Sequence, residues 1–161
     1  MKVMEKRMEQ ITVFTPTYNR RNSLPRVFES LKRQTFRDFI WIIVDDGSTD
    51  DTKSLVVEFE KEADFKIIYI YQENAGKHSA INRALQETTS ELFLIADSDD
   101  SFKANALEVF INTWESIPEG ERKQYKGVIA KCYNAEDGTP IGSYPQHMFD
   151  SNDLDDRTVG M

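Results

Sequence analysis

Short runs of β-branched and aromatic residues recur along the chain and predict β-strands. These runs are almost continuously apolar, which favours strands that are buried on both faces of a sheet. The predicted strands cover residues 11–15, 39–44, 66–71, 91–96 and 127–133.

Helical patterns lie between the predicted strands. Apolar residues recur there at the spacing of one helix face, and each such stripe is expected to pack against the core. Asn22 or Ser23 could cap the first helix, and Pro25 is tolerated in its first turn. The four stripes are Leu24, Val27, Phe28 and Leu31; Leu55, Val56 and Phe59; Ile81, Ala84 and Leu85; and Leu107, Phe110, Ile111 and Trp114.

The alternation of strands and helices predicts an α/β fold with a mainly parallel sheet between two helical layers. In such folds, ligands bind beyond the carboxyl ends of the strands. Polar segments follow the first four predicted strands, and parallel strands would bring all four to one rim. Each segment alone could be an ordinary turn, because Gly accepts positive φ and Ser, Thr and Asp cap helices. The segments are residues 15–20, 45–51, 74–78 and 97–100.

Two of these segments are acidic. Asp45 and Asp46 follow the second strand, and Asp97, Asp99 and Asp100 follow the fourth. Two unit charges about 4 Å apart repel by roughly 4 kcal/mol at an effective dielectric near 20, so crowded carboxylates favour a shared cation. Carboxylate and hydroxyl oxygens without nearby His or Cys pairs suit Mg²⁺ or Mn²⁺ rather than zinc, and a diphosphate would complete the shell.

The other rim residues have the chemistry to bind the rest of a nucleotide. Tyr18 offers a ring face for a base, Asp46 could accept a hydrogen bond from a base N–H, and Asp97 could accept one from a ribose hydroxyl. Gly76 permits close backbone approach, and Lys77 is a candidate phosphate partner.

His78 has two interpretations of equal weight. It could donate a hydrogen bond to a phosphate, or it could simply begin the third helix.

Composition narrows the possible partners and the compartment. The 161 residues are 39% hydrophobic, enough for one domain with its own core, and 28 acidic against 20 basic residues give a formal charge of −8. No basic patch interleaved with aromatic residues appears, so a nucleic-acid partner is not expected.

Cys132 cannot form an internal disulfide and is expected to be a small buried hydrophobe. No run approaches the roughly 18 apolar residues of a membrane span, and the N-terminus has no signal core, so a cytoplasmic location is predicted.

The order of the motifs resembles the nucleotide-sugar-binding part of family 2 glycosyltransferases of the GT-A fold. The resemblance covers residues 11–103, and the later segment "GVIAKCYNAEDGTPIG" fits the strand and hairpin that follow in the family. The matching motifs are "VFTPTYNR" with "SLKRQTF" behind it, "IIVDDGSTDDT", "NAGKHSAINRAL" and "LFLIADSDD". The fold implied is a Rossmann-like αβα sandwich with a mainly parallel, mixed central sheet.

The resemblance also implies an activity and a set of site residues. Family members transfer a sugar with inversion from a nucleoside-diphosphate sugar, here most simply a UDP-sugar, to a glycan or lipid-linked acceptor, using Mn²⁺ or Mg²⁺. Pro16 and Tyr18 would flank the base, Asp46 would recognise it, Asp97 would contact ribose or metal, and Asp99 would be the principal metal ligand.

The third motif of the family matches Asn74, Gly76 and Asn82. Ile81 stands where many relatives carry Arg, so no arginine contact is expected there.

The sequence departs from the family after the Asp-x-Asp motif. Family members use a carboxylate base, usually in a Glu-Asp pair, and many processive members carry Gln-x-x-Arg-Trp. Neither motif has a convincing match here. The one Glu-Asp pair after the Asp-x-Asp motif, Glu136 and Asp137, has the pattern of a hairpin turn. Asp153, Asp155 and Asp156 fall in a polar tail. The catalytic base is therefore unassigned and the acceptor half is expected to be missing.

The expected organisation is an N-terminal extension over residues 1–10, an apparently truncated GT-A domain over 11–145, and a polar tail over 146–161. Contact with the inner face of a membrane would need segments outside this chain.

Two other functions remain open. A nucleotide-binding or regulatory module without catalysis would explain the absent base. A phosphotransfer domain also places aspartates at strand ends, but receivers carry their acidic pair after the first strand, which here ends in Pro-Thr-Tyr-Asn. The haloacid-dehalogenase signature does not match Asp97 and Asp99 either. A sugar nucleotidyltransferase would need a Gly-rich, Arg-containing loop after the first strand, and this loop is absent.

Overall fold

The computed structural model describes residues 9–141, and its centre is a four-stranded parallel sheet in the order β3-β2-β1-β4. The strands are β1 (Ile11–Thr17), β2 (Phe39–Asp46), β3 (Lys66–Gln72) and β4 (Leu92–Ile95). The helices are α1 (Leu24–Lys32), α2 (Thr52–Glu62), α3 (Lys77–Glu87) and α4 (Ala106–Glu115), followed by a 3₁₀ turn at Arg122–Gln124. A separate antiparallel hairpin joins β5 (Cys132–Tyr133) to β6 (Pro140–Ile141).

The central strand β2 is buried along its whole length and divides the core into two layers. Successive side chains of a strand point to opposite faces, so its alternate residues enter different clusters. Phe39, Trp41 and Ile43 pack in the cluster that α1, α2 and α4 cover. Ile40 and Ile42 belong to the cluster that α3 covers. The predicted α/β sandwich with a mainly parallel sheet is confirmed.

Aromatic rings fill the larger cluster, which α1, α2 and α4 cover. The ring of Phe28 from α1 stacks on Phe59 from α2 with centroids 4.1 Å apart, and it also lies against Trp41 of the sheet at 6.2 Å. The Trp41 indole N–H donates to the Thr15 hydroxyl at 2.9 Å, so the buried ring leaves no polar atom without a partner. This cluster fixes α1 and α2 on the face of β1 and β2.

The two edge strands correct the expectation that every strand is buried on both faces. Among the described residues, β3 pairs only with β2, and β4 pairs only with β1, over four residues. Their side chains are mostly half-buried, and Tyr71 is 57% exposed. Leu85 of α3 is also exposed at 47%, because Ala80 and Ala84 form the face of α3 that contacts the sheet.

The predicted fifth strand is largely wrong. Only Cys132 and Tyr133 of the segment 127–133 pair in a strand, and their partner is β6. Residues 127–131 are irregular, although residues 126–129 line a groove of about 680 Å³ together with β4. A strand needs a hydrogen-bonded neighbour, and apolarity alone does not supply one. Cys132 is half-buried rather than fully buried.

The turn predicted at Glu136 and Asp137 is confirmed. It connects β5 to β6, and the Gly138 N–H donates to the Asn134 carbonyl at 2.9 Å. The Asp137 carboxylate accepts hydrogen bonds from the Thr139 N–H and hydroxyl, at 2.9 and 2.7 Å.

The remaining organisational predictions fall at the ends of the chain. Most of the N-terminal extension, the boundary at residue 145 and the polar tail with Asp153, Asp155 and Asp156 lie outside the described residues and stay predictions. Between residues 9 and 141, every helix is too short or too polar to cross a bilayer.

We predict that Phe28→Ala lowers the free energy of unfolding by about 3–5 kcal/mol, because it removes a ring that both helices and the sheet contact. Urea denaturation followed by circular dichroism measures this change. Leu85→Ala is the control, since an exposed side chain should change stability by no more than about 0.5 kcal/mol. Equal losses in the two variants would contradict the assignment of Phe28 to the core.

Candidate functional site

The order of the strands creates a crevice at the carboxyl edge of the sheet. The chain runs from β1 to β2 and β3 on one side and then returns to place β4 on the other side of β1. The segments after β1 and β4 therefore lie side by side at this edge, where ligands bind in folds of this class. A cleft of about 400 Å³ lies there, lined by Pro16, Thr17, Tyr18, Arg20, Asp46, Lys77, Asp97, Ser98 and Asp99. The predicted single rim is confirmed.

Asp46, the last residue of β2, is the most firmly held carboxylate of the cleft. Its Oδ1 accepts hydrogen bonds from the Gln72 amide at 2.7 Å and the Ala75 N–H at 2.9 Å. Its Oδ2 accepts one from the Gly76 N–H at 2.8 Å. A carboxylate has about four acceptor positions, so one position remains for a ligand. Burial disfavours the charge, but these donors outweigh it and hold the pKa of Asp46 below its ordinary value.

Two glycines allow the segments after β2 and β3 to approach at backbone distance. Gly47 has φ +86°, and a Cβ added there would lie 2.9 Å from the backbone nitrogen of Asn74. Gly76 has φ +88°, and a Cβ there would lie 3.2 Å from the His78 ring. The Asn74 side chain also donates to the Asp46 carbonyl at 2.9 Å. Gly76 thus presents its N–H to Asp46 in a backbone conformation that side-chain-bearing residues rarely adopt.

Asp45 has a structural role. Its Oδ1 accepts a hydrogen bond from the Ser48 N–H at 2.8 Å, and its Oδ2 accepts one from the Tyr69 hydroxyl at 2.6 Å. Burial, followed by the bond to Asp45, raises the pKa of Tyr69, so the phenol keeps its proton. The five aspartates were expected to crowd together and to favour a shared cation. Asp45 and Asp46 instead accept hydrogen bonds from the protein, so this expectation is wrong for these two residues.

The segment after β4 forms a turn around its own carboxylate. Asp100 accepts a hydrogen bond from the Asp97 N–H at 3.0 Å, and the Asp100 N–H donates to the Asp97 carbonyl at 3.0 Å. Burial raises the pKa of Asp100 despite this bond, and the charges of Asp97 and Asp99 add to the effect. Asp100 therefore shapes the turn, while Asp97 and Asp99 line the cleft.

Lys77 and Asp97 form an ion pair across the cleft. The Lys77 Nζ lies 2.5 Å from Asp97 Oδ1, and the two side chains are 53% and 49% exposed. Lys77 is the first residue of α3, which follows β3. Its ion pair therefore connects the segment after β3 to the turn after β4. An exposed pair of this kind contributes little to stability and is free to exchange partners.

Asn19 organises the rim although it does not line the cleft. It is the non-glycine residue with positive φ, +52°, among residues 9–141. Its side-chain oxygen accepts from the Thr49 N–H at 2.8 Å and the Asp50 N–H at 3.3 Å, and its own N–H donates to the Ser48 hydroxyl at 2.8 Å. These bonds tie the segment after β1 to the segment after β2. The tolerance of Asn for positive φ was the available sequence signal.

The structure brings most of the predicted site residues to the cleft, but not all of them. Asn74 and Gly76 donate hydrogen bonds to Asp46 and do not line the cleft themselves. Asn82 is exposed on α3, and His78 is exposed in the first turn of that helix, neither of them lining the cleft. His78 thus lies at the start of α3, and its hydrogen bond to a phosphate stays a prediction. Any contact of Asn82 with a nucleotide stays a prediction.

Thr17, Arg20 and Ser98 also line the cleft; they fall in the segments predicted to form the rim, but no individual role was predicted for them. Thr17 is 2% exposed, and its hydroxyl is the buried side-chain oxygen that finds no hydrogen-bond partner within residues 9–141. Such a group at the wall of a cleft is typical of a polar binding site. The sequence signal for Thr17 was the position of its hydroxyl between the predicted site residues Pro16 and Tyr18.

The donors of the cleft fit a hard divalent cation. Within residues 9–141, no three His, Cys, Asp or Glu side chains group closely enough to enclose a metal by themselves. Asp97 and Asp99 supply two carboxylates, and Ser98 between them supplies a hydroxyl. Mg²⁺ and similar ions are usually held by one or two carboxylates together with substrate phosphates, which is the set that this cleft could offer with a diphosphate present.

Comparison with known proteins identifies the fold and the family. The glycosyl transferase family 2 profile matches residues 12–156. Glycosyltransferase GlyA of Streptococcus pneumoniae is 37% identical over 137 residues, which is 78% of this chain and 20% of that protein.

Two solved structures share the architecture. S. aureus TarS 1–349, solved in complex with UDP, superposes with a TM-score of 0.60 at 28% identity and covers 66% of this chain and 33% of that one. Mannosyltransferase PcManGT from Pyrobaculum calidifontis, in complex with GDP-Man and Mn²⁺, gives a TM-score of 0.60 at 23% identity, covering 80% of this chain and 36% of that one. The chain thus spans about a fifth to a third of the length of these proteins.

The motifs, the parallel sheet with its acidic cleft and the matching profile agree, and the chain belongs to glycosyl transferase family 2.

Proposed function

We propose that this chain is the donor-binding part of an inverting glycosyltransferase that uses a nucleoside-diphosphate sugar, most simply a UDP-sugar. The observation that carries the proposal is that Asp46, the ring of Tyr18 and the carboxylate of Asp99 line the same cleft. The complex of TarS with UDP supports the choice of nucleotide, because TarS shares the fold and is 28% identical to this chain over the aligned residues.

The base end of the nucleotide would lie between Tyr18 and Asp46. Tyr18 is 49% exposed and offers a ring face, with Pro16 beside it in the cleft wall. The remaining acceptor position of Asp46 suits a base N–H, and its ionised state at neutral pH strengthens that bond. A base without an N–H donor at this edge would leave a buried carboxylate position unsatisfied, which disfavours it.

The diphosphate end would lie toward Asp97, Asp99 and Lys77. Asp99, with Asp97, would hold Mn²⁺ or Mg²⁺, and the bound cation would neutralise charge on the departing diphosphate. Lys77 would leave Asp97 and donate to a phosphate oxygen, since its ion pair is exposed and exchangeable. The protein thus binds and orients the donor and stabilises the leaving group.

The acceptor step has no assigned base. Asp137 is engaged by Thr139 in an exposed turn, and Asp45 and Asp100 accept hydrogen bonds from the protein. A positioned base commonly contributes 10²–10⁴-fold. The glycan or lipid-linked acceptor and the inverting course of the reaction rest on the resemblance and are part of the proposal.

The engaged state of Asp137 also favours a second candidate, a nucleotide-binding module without catalysis. Mass spectrometry of products formed by the longest natural form of the chain separates the two candidates, because any sugar transfer is incompatible with a purely binding role.

We predict that UDP with Mn²⁺ stabilises the protein by about 2.7 kcal/mol at a hundredfold excess over Kd, and that Asp99→Asn removes most of this effect. Thermal unfolding with UDP and Mn²⁺, with UDP and chelator, and with Mn²⁺ alone measures the effect. Asp51→Asn is a matched control, because Asp51 is exposed at the start of α2 and its side chain makes no capping bond. Equal stabilisation by UDP in excess chelator would contradict the proposed metal.

We predict that Asp46→Asn lowers stability at neutral pH and that the difference from the unsubstituted protein shrinks as pH falls below 3.8. The folded pKa of Asp46 lies below the ordinary 3.8, so its contribution is present above that value and is lost as pH falls through the folded pKa. Urea unfolding across this pH range measures it. Asp51→Asn serves as the control, because Asp51 is exposed and its side chain makes no capping bond. A difference that does not change with pH would contradict the role of the Asp46 charge.

We predict that Lys77→Gln changes two affinities in opposite directions. Without nucleotide, Mn²⁺ should bind up to about fivefold more tightly, because the ammonium no longer competes for Asp97. UDP with Mn²⁺ should bind about tenfold more weakly, because a phosphate partner is lost. Isothermal titration calorimetry resolves both, with Lys53→Gln as the control. Weakening of both affinities would show that Lys77 supports the metal site instead of competing with it.

A further inference from the structure

Two arginines at the start of α1 line a second pocket beside the cleft. This pocket has a volume of about 320 Å³ and is lined by Asn19, Arg20, Asn22, Ser23 and Arg26. Arg20 also lines the cleft, so the two spaces adjoin. The Arg26 guanidinium donates to the Asp99 carbonyl at 3.3 Å, which places the pocket at the turn that carries the proposed metal ligand.

Neither of these two arginines forms an ion pair with a carboxylate among residues 9–141, which is also true of Arg33 at the other end of α1. Arg37, Arg83 and Arg122 each form an ion pair with a carboxylate. Arg20 and Arg26 form none with any residue from 9 to 141, although the whole chain carries a charge of −8. Both side chains are exposed, so their guanidinium groups can meet a ligand. The pocket is thus a positive site in an acidic protein.

The rest of the lining offers donors of hydrogen bonds. The side-chain oxygen of Asn19 is occupied by the segment after β2, which leaves its NH₂ group as a donor. Asn22 contributes a second amide. Among residues 9–141, no carboxylate lines the pocket, and the first turn of α1 carries no acidic residue. Within this part of the chain, the partial positive charge at the start of α1 is therefore not neutralised locally.

We propose that this pocket is a subsite for a phosphate group, a monoester or a diester, bound chiefly by Arg20 and Arg26. A guanidinium fork matches the oxygens of phosphate with two parallel hydrogen bonds, and the amides complete the shell. The inference rests on the charge and lining of the pocket, not on the proposed nucleotide site, which uses Lys77 for the diphosphate. The phosphate could belong to the donor's diphosphate or to a phosphate-bearing acceptor.

The test is a titration of the protein with inorganic phosphate at constant ionic strength, followed by the backbone amide NMR signals of residues 19–26. We expect saturable shifts in this segment. Arg20→Gln and Arg26→Gln should each weaken phosphate binding about tenfold. Arg33→Gln removes the same charge at the other end of α1 and should leave phosphate binding unchanged.

Repeating the titration with saturating UDP and Mg²⁺ identifies the source. Shifts that persist assign the pocket to a second, phosphate-bearing ligand, and displacement by UDP assigns it to the diphosphate of the donor. Absence of saturable shifts, or an equal loss in Arg33→Gln, would overturn the proposal. UDP binding and its loss in Asp99→Asn are measured separately, so the proposed function can stand if the phosphate subsite fails.

Discussion

The site depends on the way in which Asp46 is held. Asp46 ends the central, fully buried strand, and its carboxylate binds the Gln72 side chain and the N–H groups of Ala75 and Gly76. These bonds fix the segment that leads into α3. Lys77 is the first residue of α3, and its ammonium group pairs with Asp97 across the cleft. The Asp46 carboxylate therefore also fixes the position of this ammonium group. One ionised side chain thus connects the core of the sheet to both ends of the cleft.

Negative charge is distributed unevenly around this cleft. Asp45, Asp46 and Asp100 accept hydrogen bonds from the protein, while Asp97 pairs with an exchangeable lysine and Asp99 is exposed. A folded chain can therefore tolerate several aspartates at one edge without a cation. Asp97 and Asp99 are thus the two carboxylates that the proposed cation would bind, together with the diphosphate of the proposed donor.

The sequence predicted the fold class, the four main strands and the shared rim because these follow from local patterns. Alternating β-branched runs and helical stripes specify the elements, and parallel strands place their carboxyl ends together. It could not predict that β3 and β4 are half-exposed, since burial at an edge depends on strand order. Nor could it predict that residues 127–131 stay irregular, since strand pairing requires a neighbour. The donors of Asp46 and Asn19 were likewise hidden, because the segments that meet there are about thirty residues apart in the chain.

The bonds of Asn19 have a consequence for the entropy of ligand binding. Its side-chain oxygen binds the Thr49 and Asp50 N–H groups, and its backbone binds Ser48, so the peptide that carries Tyr18 is anchored one residue away from the ring. The backbone freedom of this segment is already lost on folding. A ring that stacks on a ligand then sacrifices only its own side-chain rotation, and a preorganised surface of this kind binds more tightly than a mobile segment making the same contacts.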